Sequence, residues 1–132
     1  MSSDIIIITG TAIHDGPITV RAKIVDAGAE VHVPITQADI TSITYSIEEQ
    51  ADYAWNRSEV TGHQDQTVAV ASCVFDTLQS DSVMADYNFK HTIPSSVNSP
   101  FPNPAKLYWI YYKFTPVSGE PFIVAAQVRT ES

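Results

Sequence analysis

The chain has 132 residues, enough for one compact domain and too few for two cores of ordinary size, so we expect a single domain over residues 1–132. Seven lysine and arginine residues against 15 aspartate and glutamate residues give a formal net charge of −8. This acidity argues against nucleic acid as a partner, because binding to phosphates relies on clustered cations. Charged residues make up only 17% of the chain, so we expect a surface poor in charge.

The sequence has one cysteine, Cys73, which excludes an internal disulfide framework and a metal site with several thiolate ligands. Residues 1–4 carry no basic side chain and precede an apolar run of only four residues, 5–8. A secretory signal needs a cationic start and about seven or more apolar residues, and a membrane helix needs about 20. We therefore expect a protein that is made in the cytoplasm and has no membrane association.

Short apolar runs of period two, separated by glycine, proline and polar clusters, predict an all-β chain. Pro34 confines the short segment 30–35 to a sheet edge if it forms a strand. Residues 49–66 lack a clear period and are predicted as a long connection, in which a helical turn is one option. The strands predicted in the first half of the chain cover residues 4–11, 18–24 and 40–48.

The second half of the chain gives the clearest alternation of apolar and polar residues. Residues 67–75 are predicted as a strand covered on both faces, and residues 76–85 as a loop. Four prolines make residues 94–104 an extended connector that cannot lie inside a ladder. The remaining strands are predicted over residues 87–93, 106–115 and 121–130, and the last two form a hairpin with Pro, Ser and Gly in its turn.

Seven predicted strands and one doubtful strand favour an antiparallel, Ig-like β-sandwich of about seven to eight strands. A small barrel or a jelly roll is the alternative, because the number of strands does not separate these folds. The Cys–Trp–Cys framework of antibody domains is absent, so only the sandwich architecture is predicted. In the penultimate strand, Tyr108 or Tyr111 is a candidate for the hydrogen bond known as the tyrosine corner.

No motif in the sequence specifies a reaction. The four histidines, His14, His32, His63 and His91, lack metal-ligand spacing and are expected to lie in surface loops. Cys73 is expected to be a buried structural thiol in a strand. No glycine-rich phosphate loop or nucleophile motif is present, so we predict a protein that is not an enzyme and has no catalytic residue, metal or cofactor. Two groups of acidic residues leave a calcium site open as an alternative.

The strand predicted over residues 106–115 has two apolar faces. Its even positions are apolar as expected for a core, but its odd positions, Leu107, Trp109 and Tyr111, are apolar as well. Two explanations stay open: residues 49–66 fold over this second face, or the face binds another subunit or a ligand. The candidate interface residues are Leu107, Trp109, Tyr111, Ile123, Ile5 and Ile7.

Ile5 and Ile7 belong to a run of four isoleucines. If this run is an edge strand, a neighbouring subunit could protect it by adding a strand of its own. An ordinary interior strand is the favoured alternative.

Three segments, residues 40–47, 87–94 and 108–128 with its turn at 114–119, carry a resemblance to known proteins. Together they resemble short Ig-like β-sandwich proteins encoded among the virion genes of tailed phages and prophage-like elements. The resemblance implies a capsid decoration, tail or adaptor component, and such proteins have no catalytic residues to transfer.

We therefore expect a non-enzymatic structural component of a phage-like particle that acts through protein–protein contacts. Its partners would be protein subunits, either copies of itself or a shell or tube protein, in an oligomer or assembly. Its location would be the virion, or the cytoplasm if it is not viral. The alternative is a carbohydrate-binding or cell-surface-binding module in which Trp55 and Trp109 stack on sugar rings. A hydrolase with a metal site assembled from loops is the third hypothesis.

Overall fold

The computed structural model describes residues 5–12, 16–26, 33–50, 56–94 and 99–131. Within them, seven strands have five residues or more. These are β1 (Ile5–Ala12), β2 (Ile18–Ala22), β5 (Ile40–Gln50), β8 (Val74–Gln79), β9 (Tyr87–Ile93), β10 (Leu107–Pro116) and β11 (Phe122–Thr130). The shorter elements are β3 (Val25–Asp26), β4 (Val33–Pro34), a 3-10 turn (Gln37–Asp39), β6 (Arg57–Glu59), β7 (Gln66–Val68) and the single helical turn α1 (Val70–Cys73).

The long strands form two sheets that pack face to face, which confirms the predicted all-β sandwich. The larger sheet has the order β1-β11-β10-β5-β6, with β7 also paired to β5, and the smaller sheet has the order β2-β9-β8. This is the strand order of an Ig-like sandwich, in which β11, β10 and β5 stand for strands G, F and C, and β2, β9 and β8 for B, E and D. One pair departs from the antiparallel prediction, because β1 runs parallel to β11.

The core between the sheets is built on aromatic rings from both of them. Phe89 of β9 meets the rings of Tyr112 and Phe114 of β10 edge to face, at centroid distances of 5.0 and 5.3 Å. All three side chains are fully buried. Edge-to-face contacts of this kind add to the stabilisation from buried area, so this aromatic group joins the two sheets.

Tyr108 makes the predicted tyrosine corner near the start of β10. Its hydroxyl accepts a hydrogen bond from the backbone N–H of Asn103, at 2.9 Å, five residues upstream. Burial raises the pKa of Tyr108 to about 12. Tyr111, the other candidate, lies on the opposite face of the strand.

The predicted strand over residues 67–75 is wrong. Val68 ends β7 in the larger sheet and Val74 begins β8 in the smaller sheet, and α1 lies between them. Because the segment crosses from one sheet to the other, its apolar residues point into the core from two directions and imitate a strand covered on both faces. Cys73 is buried as predicted, but it lies in α1 and not in a strand.

Two predicted connections also contain strands. Residues 49–66 include β6, and β8 continues to Gln79 within the predicted loop 76–85. The rest of that loop is fixed by Asp81, whose carboxylate accepts the backbone N–H groups of Val83 and Met84 and pairs with Arg21 Nε at 2.8 Å. These hydrogen bonds, the one from Met84 first, hold the pKa of Asp81 well below its ordinary value. Asp81 therefore stabilises the loop that follows β8.

Candidate interaction face

The side of the larger sheet that points away from the smaller sheet is called the outer face. Its central residues are Leu107, Trp109 and Tyr111 of β10, with Ile123 and Ala125 on the neighbouring strand β11. The register places Tyr111 opposite Ala125, which is buried, whereas the other four side chains are half-buried. The predicted two-faced strand is thus real, and its second face lies outside the core.

β1 brings the two isoleucine candidates to the same part of the sheet. Ile5 is in register with Ile123, and Ile7 is in register with Ala125. Among the strands that the structure describes, β1 ends the order of the larger sheet, so the favoured prediction of an interior strand is wrong. All six candidate interface residues therefore fall on three adjacent strands, although Ile5 and Ile7 precede the other four by 100 residues or more in the chain.

The rings of Trp109 and Tyr111 lie nearly parallel, with an interplanar angle of 9° and a centroid distance of 6.2 Å. The indole N–H of Trp109 donates to Gln50 Oε1 at 2.8 Å. The guanidinium of Arg57, on β6, stands 4.5 Å from the centroid of the Trp109 ring and 5.8 Å from that of Tyr111. Arg57 belongs to the segment 49–66, so this segment covers part of the outer face. This is the first of the two explanations for the second apolar face of the strand.

Charged side chains of both signs surround the apolar centre of the outer face. Glu48 of β5 lies directly opposite Glu59 of β6, and Glu48 is also the partner of Trp109 in the ladder. Like charges directly opposite each other in a sheet are destabilising. The basic side chains of the face are Arg57, Lys113 and Arg129, and among the described residues none of them forms an ion pair.

A second group of polar side chains lies between the sheets, and sequence reasoning missed it. Tyr45 Oη and His63 Nδ1 are 2.8 Å apart, and Tyr112 Oη and His91 Nδ1 are 3.0 Å apart. The Tyr45 ring connects the two pairs, since it lies 5.3 Å from His91. We call these four residues the Tyr–His cluster.

The prediction of surface-loop histidines is wrong for both histidines of the cluster. His63 is buried, and His91 lies within β9, where burial lowers its pKa to about 4. Burial also raises the pKa of Tyr112. The alternation of β9 could have predicted an inward-facing His91, because His91 lies two residues from Phe89 and two from Ile93, which are both buried. His14, His32 and Trp55 lie outside the described residues.

The described part of the chain holds no group of three or more His, Cys, Asp or Glu residues that could bind a metal ion. No helix within it is both long and apolar enough to cross a membrane.

Comparison with models of known families finds no match for this chain, and comparisons with curated proteins and with solved structures find no significant match. The fold places this chain in the class of all-β sandwich proteins.

Proposed function

We propose that this chain is a non-enzymatic structural component of a phage-like particle, and that it acts through protein–protein contacts made by the outer face. The observation that carries the proposal is the half-buried apolar centre formed by Leu107, Trp109, Tyr111 and Ile123, with charged residues at its margin. An apolar, aromatic centre inside a polar margin is the composition of protein interfaces.

The phage-like setting rests on the resemblance of residues 40–47, 87–94 and 108–128 to virion sandwich proteins. These segments contain all of β9 and most of β5, β10 and β11, the central strands of both sheets. A decoration, tail or adaptor protein acts through a contact face, and the half-buried apolar centre of the outer face supports such a role.

The test is to purify particles from a culture that carries the gene, band them on a density gradient, and quantify the chain in each fraction by mass spectrometry. A structural component bands with the particle at a constant ratio to the main shell or tube protein. A Leu107→Ser, Ile123→Ser double variant should lose at least about nine-tenths of this incorporation, because burial of apolar area drives such contacts.

Val83→Ser is the matched control, since Val83 is 72% exposed and lies in the β8–β9 loop, outside the outer face. Its incorporation should equal that of the wild type. If the wild-type chain stays in the soluble fractions, the particle role is wrong. If the double variant is folded, by circular dichroism, and bands with the particle as well as the control does, the outer face is not the contact.

The nearly parallel rings of Trp109 and Tyr111, with Gln50 beside them, favour one second candidate function, carbohydrate binding. Sugar-binding sites commonly combine aromatic stacking with amide hydrogen bonds. Against it, the Arg57 guanidinium already occupies a position above the indole ring. A glycan array, run with and without calcium, tests this candidate: a hit that Trp109→Ala abolishes would favour it over protein contacts.

A further inference from the structure

Three connections between strands lie at one end of the sandwich, which is called the loop end. They are residues 23–39 between β2 and β5, residues 80–86 between β8 and β9, and residues 117–121 between β10 and β11. In the smaller sheet, β2 and β8 both end beside the start of β9. In the larger sheet, β5 begins where β10 ends, because Ile40 is the ladder partner of Pro116. The backbone N–H of Val117 donates to the carbonyl oxygen of Asp39, which joins two of these connections.

The loop end carries all the large apolar side chains that are exposed among the described residues. These are Val33, Leu78, Val83 and Val117. Three of them lie in the connections, and Leu78 is the last residue but one of β8. Val83 is 72% exposed and Val117 is 67% exposed. A single exposed apolar residue needs no explanation, but four at one end, with none elsewhere on the described surface, mark an interaction site.

The connections that carry the two most exposed valines are held by hydrogen bonds. The N–H of Val83 donates to Asp81 Oδ1 at 2.8 Å, and the N–H of Val117 donates to the carbonyl oxygen of Asp39 at 2.9 Å. A backbone that is fixed before binding loses little conformational entropy when a partner docks.

Acidic residues dominate the loop end. The three connections contain six acidic residues, Asp26, Glu30, Asp39, Asp81, Asp86 and Glu120, and one basic residue, Lys23. The adjoining four positions of each strand add one acidic residue, Asp76, and three basic residues, Arg21, Lys90 and Lys113. Acidic residues therefore still exceed basic residues by seven to four. Arg21 is already paired with Asp81, whereas Asp86 and Glu120 form no ion pair within the described residues.

We propose that the loop end binds a second protein, whose contact surface combines apolar side chains with lysine or arginine. The valines supply apolar area to this contact, and the excess of carboxylates selects a basic surface. The two sheets are only about 10 Å apart, so a contact of about 800 Å² on one partner is wide enough to reach all three connections.

The same charges disfavour the other occupants of this end. A second copy of the chain carries a net charge of −8 and would bring a second set of carboxylates to the contact. The headgroups of an anionic membrane and the phosphates of a nucleic acid are repelled in the same way.

This contact goes beyond the proposed function, because the loop end is separate from the outer face. Its partner is a different protein from the one that holds the chain in a particle. Val83→Ser therefore weakens binding at the loop end, although it keeps the outer face and with it the incorporation of the chain.

The test is selection from a library of random peptides on the purified chain, followed by titration of the enriched peptides. The enriched peptides should contain lysine or arginine beside apolar residues, and their dissociation constants should rise with salt. Val117→Ser should weaken binding by about tenfold, because it removes a buried apolar contact. Glu120→Lys should weaken binding by about fivefold, because it turns attraction into repulsion.

Glu131→Lys is the matched control for Glu120→Lys. It makes the same charge change at an exposed residue that follows β11, at the opposite end of the sandwich. It should leave the dissociation constant within about twofold of wild type, which separates a local contact from a general attraction of basic peptides to an acidic chain. Circular dichroism establishes that each variant is folded.

A selection that enriches no peptide, or peptides without an excess of basic residues, overturns the proposal. So does binding that Val117→Ser and Glu120→Lys weaken no more than Glu131→Lys does. Vesicles of phosphatidylcholine and phosphatidylserine test the membrane directly. If they bind the wild-type chain and not Val117→Ser, this end recognises lipid and the protein partner is wrong.

Discussion

Tyr111 and Tyr112 are neighbours in β10, yet they belong to different parts of the molecule. Tyr112 is fully buried, meets Phe89 edge to face and shares a hydrogen bond with His91. Tyr111 is half-buried and lies beside Trp109 under the Arg57 guanidinium. Inside the sandwich, each ring is fixed by several neighbours from both sheets. On the outer face, the contacts that the described residues make with the Trp109 and Tyr111 rings come from one sheet and leave both side chains half-buried.

The largest expected difference between the two regions is in packing energy. Phe89→Ala should lower the free energy of unfolding by about 3–5 kcal/mol, because it opens a cavity where two buried rings meet. Ile123→Ala, on the outer face, should cost only about 1 kcal/mol, since this side chain is half-buried. Urea denaturation of both variants measures the two values. Equal losses would mean that the outer face is as tightly packed as the core.

The polar side chain Asn88 also belongs to the inner region. It is fully buried in β9, accepts the N–H of Ile24 at 2.8 Å, and donates to the carbonyl groups of Ile24 and Ile35. Asn88→Ala should lower the free energy of unfolding by about 3 kcal/mol, because it leaves buried backbone groups without partners.

The control for Asn88→Ala is Asn103→Ala, which removes an exposed amide bonded to Glu49. It should change the free energy of unfolding by less than about 0.5 kcal/mol. A loss at Asn88 no greater than at Asn103 would show that the backbone of the segments around Ile24 and Ile35 finds other partners.

The Tyr–His cluster predicts sensitivity to acid. Burial lowers the pKa of His91 from 6.5 to about 4, so the unfolded chain binds a proton at a pH where the folded chain does not. The stability from this group is therefore complete above pH 6.5 and is lost as the pH falls towards 4. Among the described residues, Tyr45 and Tyr112 are titratable groups in contact with His91, and neither supplies a negative charge in this range.

Urea denaturation between pH 7 and pH 4 measures this effect in wild type and in His91→Gln, which keeps a polar group and does not titrate. The difference in unfolding free energy between the two proteins should shift in favour of the variant as the pH falls. Since acidic residues such as Asp81 contribute equally to both proteins, a constant difference would contradict the low pKa of His91.

The smallest effect is expected on the outer face. Arg57→Ala removes the guanidinium above Trp109 and should lower the free energy of unfolding by about 0.5–1 kcal/mol, the usual strength of an exposed cation–π contact. The wavelength of maximal tryptophan fluorescence should also shift, because the indole of Trp109 gains contact with water. Lys113→Ala, which removes a cation outside the stack, should change neither quantity. A larger loss of unfolding free energy for Arg57→Ala would mean that the rings of Trp109 and Tyr111 are packed as tightly as those of the core.

Alternation of apolar residues predicted the central strands well. β9 covers the predicted residues 87–93, and β10 and β11 begin and end within one residue of their predictions. Tyr108 could also be selected, because its place near the start of the penultimate strand is the place of the tyrosine corner. All of these features depend on the local geometry of a strand and its turn.

The wrong predictions share a different origin. Cys73 and Val74 lie where the chain crosses between sheets, and a crossing has no period of its own. His91 was predicted to lie in a surface loop because of its residue type, although it falls within the predicted strand 87–93, which is β9. β6 is three residues long and polar, so only its pairing with β5 defines it.

The sequence by itself determined that the chain is built from strands, that its last two strands form a hairpin, and that residues 106–115 are apolar on both faces. These properties follow from period two and from turn residues, which act over a few positions. Only the tertiary structure decided which face of β10 meets the second sheet, that β1 lies parallel to β11, and that Glu48 faces Glu59. Alternation separates the two faces of a strand but does not say which neighbour covers either one, because strand pairing joins residues that are far apart in the chain.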